Sequence, residues 1–451
     1  MTRTLLVAYH FPPIGGAGSQ RSLKLARYLP EVSERSTVTV VTGPGRSVDR
    51  WSPLDESLAA ELGGERAVYR VEGPEPDDDS PWRARAERWL LIGTDWSRWW
   101  LAGATEAGVR AGGDADVIVA SMPPYLSADA ASALSRRLGR PWVADLRDPW
   151  ALDEMLLYPS ALHRRLDIER MRRRLRTAAA IVTTTPEAAA RIVARFPELR
   201  SRPVVTIPNG FDAGDFAEPP PAREGDAFRI VHTGYLHTSL GLEQRRRVLR
   251  RLLGGGVPGT NLLTRSHLYL MRAIELVLDR RVGPGAPIEL HLAGALTEND
   301  RAAAEWSPFV RAHGYLHHRD AVRLMRSADL LFLPMQKMPP GTRSGIVPGK
   351  TYEYLASGRP ILAAVPEGDA RDILLEAGTA RICEPDDVVG MAAAIEAELD
   401  RSDRGDEPPA PAPAVLERFE RRALAARYAD LLGAVAANGT ARPGSRRVVA
   451  V

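Results

Sequence analysis

Short apolar runs alternate with longer helical patterns along most of the chain, and this alternation is the feature that most constrains the fold. In the first half, such runs predict strands at 3–9, 37–42, 116–121, 141–146, 180–185 and 203–208. In the second half, they predict strands at 228–233, 288–293, 310–316, 329–335, 360–365 and 379–384. Strands separated by helices are typical of βαβ units, which build parallel sheets. The pattern therefore predicts an α/β protein.

A stretch without apolar periodicity separates the two series of strands. Residues 212–227 read DAGDFAEPPPAREGDA, a composition typical of a linker. We therefore predict an N-terminal domain at 1–211 and a C-terminal domain at 228–405, each a Rossmann-like, doubly wound parallel sheet, with the active site in the cleft between them. A chain of 451 residues is long enough for two such domains. The amphipathic pattern of 417–436 predicts a final helix.

Charge, cysteine content and hydropathy exclude several classes of protein. A net charge of +3 does not favour a nucleic-acid partner. The single cysteine, Cys383, leaves no internal disulfide and fits a reducing compartment. No apolar run approaches the ~20 residues that span a bilayer, so we expect a soluble, cytoplasmic protein. The basic segments 163–177 and 244–251 are either solvated helix faces or contacts with anionic lipid at the inner face of a membrane.

The stretch GIVPGKTYEYLASGRP, residues 345–360, contains GKT but is not a P-loop, because the required glycine falls one position late, at Gly345. The stretch lies between two predicted strands, so the loop before it follows the carboxyl end of a parallel strand, where doubly wound sheets bind ligands. Lys350 adds positive charge to a helix N-terminus, and Glu353 can accept hydrogen bonds from a ribose diol. This set would hold a nucleoside diphosphate. The alternative is an ordinary surface Lys–Glu pair.

A glycine-rich stretch, YHFPPIGGAGSQR at 9–21, follows the first predicted strand and opens a helix. Gly15, Gly16 and Gly18 would let backbone amides approach a phosphate or a sugar closely. The stretch fails as a dinucleotide fingerprint because Arg21 stands at the third glycine position. It is therefore either a ligand-binding loop or a tight turn without a ligand.

The segment VADLRDPW, residues 143–150, ends a buried strand with two carboxylates and an arginine. Asp145 and Asp148 could orient hydroxyl groups, and Arg147 could pair with either of them or with an anion. The alternative is a structural salt-bridge network at the end of the strand. The histidines show no metal-ligand spacing, so we expect no metal site.

These stretches together resemble the glycosyltransferases of the two-Rossmann GT-B fold, in particular the retaining glycosyltransferase family 4 and its bacterial polysaccharide and natural-product branch. The resemblance covers nearly the whole chain, and its most specific stretch is VPGKTYEYLASGRPILA. The other stretches that carry it are FPPIGGAGSQRSLKLARYL, SMPPYLSADAASAL, PWVADLRDPW, IPNGFD, HTGYL and ADLLFLPM. In this fold the final helix, 417–436, crosses back onto the N-terminal domain.

The resemblance implies transfer of a sugar, with retention, from a nucleotide sugar to an acceptor hydroxyl or amine. Glu353 matches the family glutamate that binds the ribose. Tyr315 and Leu316 match the place where backbone atoms meet the base, and Gly16 matches the loop near the donor phosphates. The acceptor would be a glycan, a lipid-linked molecule or a small molecule, held mainly by the N-terminal domain. We expect no cofactor and no metal.

The sequence departs from the family at two places. Gly345 stands where the family has a second glutamate, so the donor sugar must be recognised differently. The family Arg and Lys that follow the glycine equivalent to Gly234 are absent, so the diphosphate charge would fall to Lys350, Arg343 and helix dipoles. The candidate catalytic residues are Asp145, Arg147, Asp148 and Lys350. The candidate donor-binding residues are Gly15, Gly16, Gly234, Tyr315, Leu316, Arg343, Lys350 and Glu353.

Three rival functions keep the predicted fold. A nucleotide-sugar epimerase would need paired acids and a base in the cleft, and would turn over the donor without an acceptor. A NAD(P)-dependent enzyme is disfavoured by the broken glycine fingerprint and by Gly43-Pro44 after strand 37–42, where an acidic residue would be expected. A catalytically silent nucleotide-sugar-binding subunit stays open because the second glutamate is missing.

Overall fold

The computed structural model describes most of the chain, namely residues 2–33, 36–45, 53–63, 67–76, 86, 89–90, 93–221, 225–247, 249, 252–281 and 287–440. Within these residues the chain forms two α/β domains, each built on a sheet whose paired strands are all parallel. The predicted fold class, two Rossmann-like domains, is therefore confirmed.

The N-terminal sheet has seven strands in the order β3-β2-β1-β4-β5-β6-β7. Its strands are β1 (Thr2–Val7), β2 (Ser36–Thr42), β3 (Val68–Arg70), β4 (Val117–Met122), β5 (Trp142–Leu146), β6 (Ala180–Thr183) and β7 (Val204–Thr206). Its helices are α1 (Ala17–Val32), α2 (Glu56–Ala60), α3 (Asp95–Ala111), α4 (Leu126–Leu138), α5 (Ala161–Leu175) and α6 (Pro186–Arg195). Strands β4 and β5 are buried along their whole length, which explains their continuous apolar runs.

The C-terminal sheet has six strands in the order β10-β9-β8-β11-β12-β13. Its strands are β8 (Phe228–Thr233), β9 (Ile288–Ala293), β10 (Val310–Gly314), β11 (Leu330–Pro334), β12 (Ile361–Ala364) and β13 (Ala380–Cys383). Its helices are α7 (Thr238–Arg246), α8 (Leu268–Arg280), α9 (Glu298–Glu305), α10 (His318–Arg326), α11 (Lys350–Ala356), α12 (Asp369–Ala377) and α13 (Val388–Asp403).

Each of the twelve predicted apolar runs overlaps one of these strands, with ends that differ by at most two residues. Strand β3 was not predicted, because three residues at a sheet edge, two half-buried and one exposed, carry no apolar periodicity. In both sheets the strand order reverses beside the first strand, between β1 and β4 and between β8 and β11. Ligands of doubly wound sheets bind at such switch points, outside the carboxyl ends of the strands.

After a short helix, α14 (Pro413–Glu417), the chain returns to the N-terminal domain as a long helix, α15 (Arg421–Thr440). The predicted helix at 417–436 thus begins four residues later, at Arg421. Its apolar side chains Leu424, Tyr428, Leu432 and Val435 join the core formed by β1 and α1. The start of the predicted linker is also fixed to this domain, because Asp212 accepts a hydrogen bond from the Lys24 Nζ at 2.6 Å.

Candidate active site

The carboxyl ends of the two sheets face each other, and side chains of both domains meet there. The Thr185 hydroxyl donates to the carbonyl of Gly345 at 2.9 Å, and the Glu187 amide donates to Asp369 at 2.8 Å. These contacts join the start of α6 to the loops around α11 and α12. The residues predicted from the two separate halves of the sequence are therefore brought to one cleft.

Lys350, at the start of α11, is a half-buried cation whose hydrogen-bond partner is a histidine. Its Nζ lies 3.0 Å from the His232 Nε2, while the His232 Nδ1 lies 3.0 Å from the Phe332 carbonyl. A carbonyl only accepts, so Nδ1 carries the proton and Nε2 accepts from the ammonium. Gly234 lies beside this ammonium with φ 99°, and a Cβ there would stand 3.0 Å from the Lys350 Nζ. Burial, together with the charge of Arg265, lowers the pKa of Lys350 well below its usual value.

Arg265 is the second cation of this cleft, and the sequence analysis missed it. Its Nη1 contacts the Met155 sulfur at 2.9 Å and the Gln336 Oε1 at 3.3 Å. In the described part of the chain, neither Arg265 nor Lys350 has a carboxylate within ion-pair distance. The sequence places Arg265 thirty-one positions after Gly234, yet the chain returns so that the His237 amide donates to the Arg265 carbonyl at 2.9 Å. No local pattern in the sequence signals that return.

Glu353, one turn after Lys350 on α11, is half-buried and forms no side-chain hydrogen bond or ion pair with the described residues. Its negative charge affects the pKa values of neighbouring groups. Burial lowers the pKa of Arg421, and Glu353 opposes that effect. Burial also lowers the pKa of His318, but the hydrogen bond to Asp215 and the charge of Glu353 raise it above its usual value. The carboxylate is thus available to a ligand.

The glycine loop after β1 lies against Tyr315 of the opposite domain. A Cβ on Gly15 would stand 2.1 Å from the Tyr315 hydroxyl oxygen, so that position must lack a side chain. The Tyr315 hydroxyl donates to Asp55 at 3.3 Å. Leu316, the next residue, is half-buried. The structure therefore brings Gly15, predicted in the N-terminal domain, into contact with the side chain of Tyr315, predicted in the C-terminal domain.

Arg147 and Asp148 lie on the N-terminal side of the cleft. Arg147 donates to the carbonyls of Met122 and Pro123, at 3.1 and 2.6 Å, and its Nη1 would be 2.7 Å from a Cβ on Gly18. The guanidinium thus lies beneath the glycine loop. Burial raises the pKa of Asp148, and the charges of Arg147 and Arg265 oppose that shift. Asp148 is therefore electrostatically coupled to cations of both domains.

Asp145 has a structural position, which corrects its prediction as a catalytic residue. Its carboxylate is 1% exposed and pairs with Arg21, at 2.8 Å from Nη2 and 3.0 Å from Nε. The Tyr428 hydroxyl of α15 donates to the same carboxylate. A carboxylate whose oxygens are occupied in the interior cannot orient an acceptor. Asp145 instead fastens α1 and the returning helix to β5, the structural alternative considered for this segment.

Arg343 also differs from its prediction. Its guanidinium lies 3.2 Å from Asp369 and 2.5 Å from Asp372, with Glu187 at 3.6 Å. Three carboxylates already neutralise this cation, so it is not free to bind a diphosphate. Arg265, which has no such partner, replaces it as the second candidate cation.

Gly345, where the family resemblance implied a missing glutamate, contacts a glutamate of the other domain. Glu154 accepts from the Gly345 amide at 3.1 Å, from the Ser344 hydroxyl at 2.7 Å and from the Arg191 Nη1 at 2.7 Å. A Cβ on Gly345 would stand 2.9 Å from that same Nη1. The sequence analysis missed Glu154, because nothing in a linear sequence links residues 191 positions apart.

Two family models match the chain, and together they span most of both domains. The model described as "Glycosyl transferase 4-like domain" matches residues 16–210, and the one described as "Glycosyl transferases group 1" matches residues 261–401. The chain is a glycosyltransferase of the GT-B fold. This glycosyltransferase has no match among curated protein sequences. Among its described residues, no group of three His, Cys, Asp or Glu is placed to hold a metal, and no helix is long and apolar enough to cross a membrane.

Solved structures of low sequence identity share the fold of this glycosyltransferase. HepE of Anabaena, in complex with UDP and glucose, has a TM-score of 0.60 at 13% identity, covering 96% of this chain and 100% of its own. Sucrose-phosphate synthase from Thermosynechococcus elongatus has a TM-score of 0.64 at 14% identity, with coverages of 97% and 100%. A putative UDP-N-acetylglucosamine 2-epimerase from Listeria monocytogenes has 0.55 at 13%, with 99% of each chain. A synthase and a protein described as a putative epimerase thus share this architecture.

Proposed function

We propose that this glycosyltransferase takes a sugar from a nucleoside diphosphate sugar and transfers it, with retention, to an acceptor hydroxyl or amine. The observation that carries the proposal is the pair of half-buried cations, Lys350 and Arg265, which lack carboxylate partners within ion-pair distance among the described residues. The charge of Arg265 lowers the pKa of Lys350, because like charges repel in a low-dielectric cleft. A diphosphate between them would relieve that repulsion.

Glu353 and Tyr315 fit the nucleoside of such a donor. The Glu353 carboxylate has no partner in the described chain and lies one helical turn from Lys350, a spacing that suits a ribose next to a diphosphate. Tyr315 lies at the end of β10, over the glycine loop. HepE, which has the same fold, is described in complexes with UDP and with UDP-glucose. UDP is therefore the first nucleotide to test.

In the proposed reaction, Lys350 and Arg265 stabilise the negative charge that develops on the leaving diphosphate, in place of a metal ion. Preorganised charge of this kind is a large catalytic term, because the cost of arranging it is met when the protein folds. Arg147 and Asp148, on the N-terminal side of the cleft, would position the acceptor. The acceptor classes are a glycan, a lipid-linked molecule or a small molecule, as in surface polysaccharide or secondary-metabolite synthesis.

Thermal-shift titration with UDP, GDP, dTDP, ADP and NAD, with and without EDTA, tests the donor site. A ligand that binds only the folded state raises the melting temperature. We expect one nucleoside diphosphate to give a saturable shift that EDTA does not change. Glu353→Ala should abolish the shift, whereas Glu305→Ala, at an exposed glutamate on α9, should preserve it. A shift with NAD alone, or binding indifferent to Glu353, would refute the site.

Retention is tested separately with a turnover assay. Once an acceptor is found, NMR of the product should show the donor's anomeric configuration at the transferred sugar. An inverted product would contradict the retaining mechanism and leave the donor site unaffected.

A nucleotide-sugar epimerase is the second candidate, and one observation favours it. The carboxyl groups of buried Asp153 and Glu154 and of half-buried Asp148 lie close to Arg265, and burial raises the pKa of Asp153 to about 8. Such acids could exchange protons with a sugar. An epimerase would convert the donor without an acceptor, so NMR of the nucleotide sugar alone separates the two functions. Nucleotide binding with no turnover in either assay would instead indicate a silent binding subunit.

A further inference from the structure

Large apolar side chains are exposed in one region of the surface, away from the cleft residues described above. Fourteen such side chains are exposed in the described part of the chain, and seven of them fall in three short segments. The seven are Trp89, Leu90, Leu162, Leu166, Leu249, Leu252 and Leu253. Leu252 is 77% exposed and Leu162 is 61% exposed. Single exposed leucines are ordinary, but a cluster marks an interaction surface.

Contacts in the structure bring these three segments together. The Ala161 amide, at the start of α5, donates to the Leu253 carbonyl at 2.8 Å. A Cβ on Gly254 would stand 3.1 Å from the Cβ of Ala161. On the other side, the His163 ring lies 5.3 Å from the Trp89 ring and its Nε2 is 3.1 Å from the Trp89 carbonyl. We call this continuous region, formed by Trp89, Leu90, Leu162, Leu166, Leu249, Leu252 and Leu253, the leucine patch.

The leucine patch is bordered by positive charge that no described carboxylate neutralises. On α5, Leu162 and Leu166 share the exposed face with Arg165 and Arg173, and Arg246 ends α7. Within the described residues, none of these three arginines has a carboxylate within ion-pair distance. The acid on the same face of α5, Glu169, lies 3.4 Å from Arg172. An apolar patch bordered by such arginines suits a membrane surface, because its apolar side chains can enter the acyl-chain layer while the arginines contact the anionic headgroups above it.

We propose that the leucine patch docks this protein on an anionic lipid bilayer. The leucines enter the boundary between headgroups and acyl chains, and the arginines pair with lipid phosphates. The short segment 154–161 connects Glu154, in the cleft, to the start of α5 in the patch, so docking holds the cleft close to the bilayer. The proposal concerns the bilayer alone and stands independently of the reaction and of the nucleotide.

Vesicle co-sedimentation of the full chain tests the proposal without any substrate. We expect the protein to sediment with phosphatidylcholine vesicles that contain phosphatidylglycerol, and weakly or not at all with phosphatidylcholine alone. Raising the salt concentration from ~0.1 to ~1 M should weaken binding, because the Debye length falls from about 10 to about 3 Å. Leu252→Glu should lower the partition coefficient at least about tenfold, since burying a leucine is worth about 1.5–3 kcal/mol and 1.4 kcal/mol is tenfold.

The matched control is Leu375→Glu, which makes the same change at a leucine of similar exposure, 62%, on α12 of the C-terminal domain. This variant should bind within about twofold of wild type. Equal melting temperatures of the two variants would show that both fold. The proposal is overturned if wild type does not bind anionic vesicles, or if the two variants weaken binding equally. It is also overturned if sedimentation velocity shows a dimer that Leu252→Glu dissociates, because the patch would then hold a second copy of the chain.

Discussion

Replacing Lys350 with methionine removes one of the two half-buried cations and keeps most of the side-chain volume. In the free protein the Lys350 ammonium has His232 as its hydrogen-bond partner, and burial with the charge of Arg265 depresses its pKa. The variant removes this charge repulsion, so we expect the melting temperature without ligand to equal or exceed that of wild type. The affinity of the variant for the nucleotide should instead decrease.

The size of the loss follows from the site. Removing one member of a buried charge pair costs about 2–5 kcal/mol, and a loss of about 3 kcal/mol weakens binding roughly 150-fold. At a nucleotide concentration about 100 times the wild-type Kd, ligand stabilises wild type by about 2.7 kcal/mol. The variant would gain only about 0.3 kcal/mol. For a domain of this size, the thermal shift should fall from about 5–11 °C to about 1 °C.

Thermal-shift titration with the nucleotide that stabilises wild type measures both effects in one experiment. Lys337→Met is the matched control, because Lys337 is a lysine of the same domain whose Nζ pairs with Asp386 at 2.6 Å outside the cation pair. It should keep the wild-type shift. If Lys350→Met loses less than about threefold in affinity, the Lys350 ammonium does not contact the diphosphate, and the proposed donor site is wrong.

Three further predictions concern stability and domain contact. Glu154→Ala should lower the free energy of unfolding, measured by urea titration, by about 3 kcal/mol, because it leaves buried donors of both domains without an acceptor. A loss below about 1 kcal/mol would show that the contact is unimportant. For Asp153, the folded carboxyl keeps its proton up to about pH 8, whereas the unfolded one loses it near pH 4, so the folded state binds more protons between these values. Wild-type stability should therefore fall from about pH 4 to about pH 8 relative to Asp153→Asn and change little above it; parallel pH profiles of the two proteins would contradict the assignment. Gly15→Ala should lower the melting temperature, because the added Cβ would force Tyr315 away from the glycine loop. Gly113→Ala, where a Cβ would meet nothing within 4 Å, should not lower it, and equal effects would mean that the Tyr315 contact is not formed in solution.

The glycine loop and α11 show how much of the candidate site could be predicted from the sequence. Gly15, Gly16, Lys350 and Glu353 follow strands whose apolar runs are explicit, and such loops lie at the carboxyl edge of a parallel sheet by construction. Their placement in one cleft could therefore be predicted. Arg343 follows the same rule, but three carboxylates from α6 and α12 neutralise it. Pairing of this kind is invisible in sequence because the partners come from separate elements.

The sequence by itself determined the two parallel sheets, apart from edge strand β3, and the loops that border the cleft, because those features depend on apolar periodicity and on residues close in the chain. Only the tertiary structure decided which charges remain free. It pairs Asp145 with Arg21 in the interior, returns Arg265 to the side of Lys350 and supplies Glu154 from the opposite domain to Gly345. The physical reason is that the energy of a charge depends on its burial and on neighbours within a few ångströms. Folding sets both, across separations in sequence that no local pattern records.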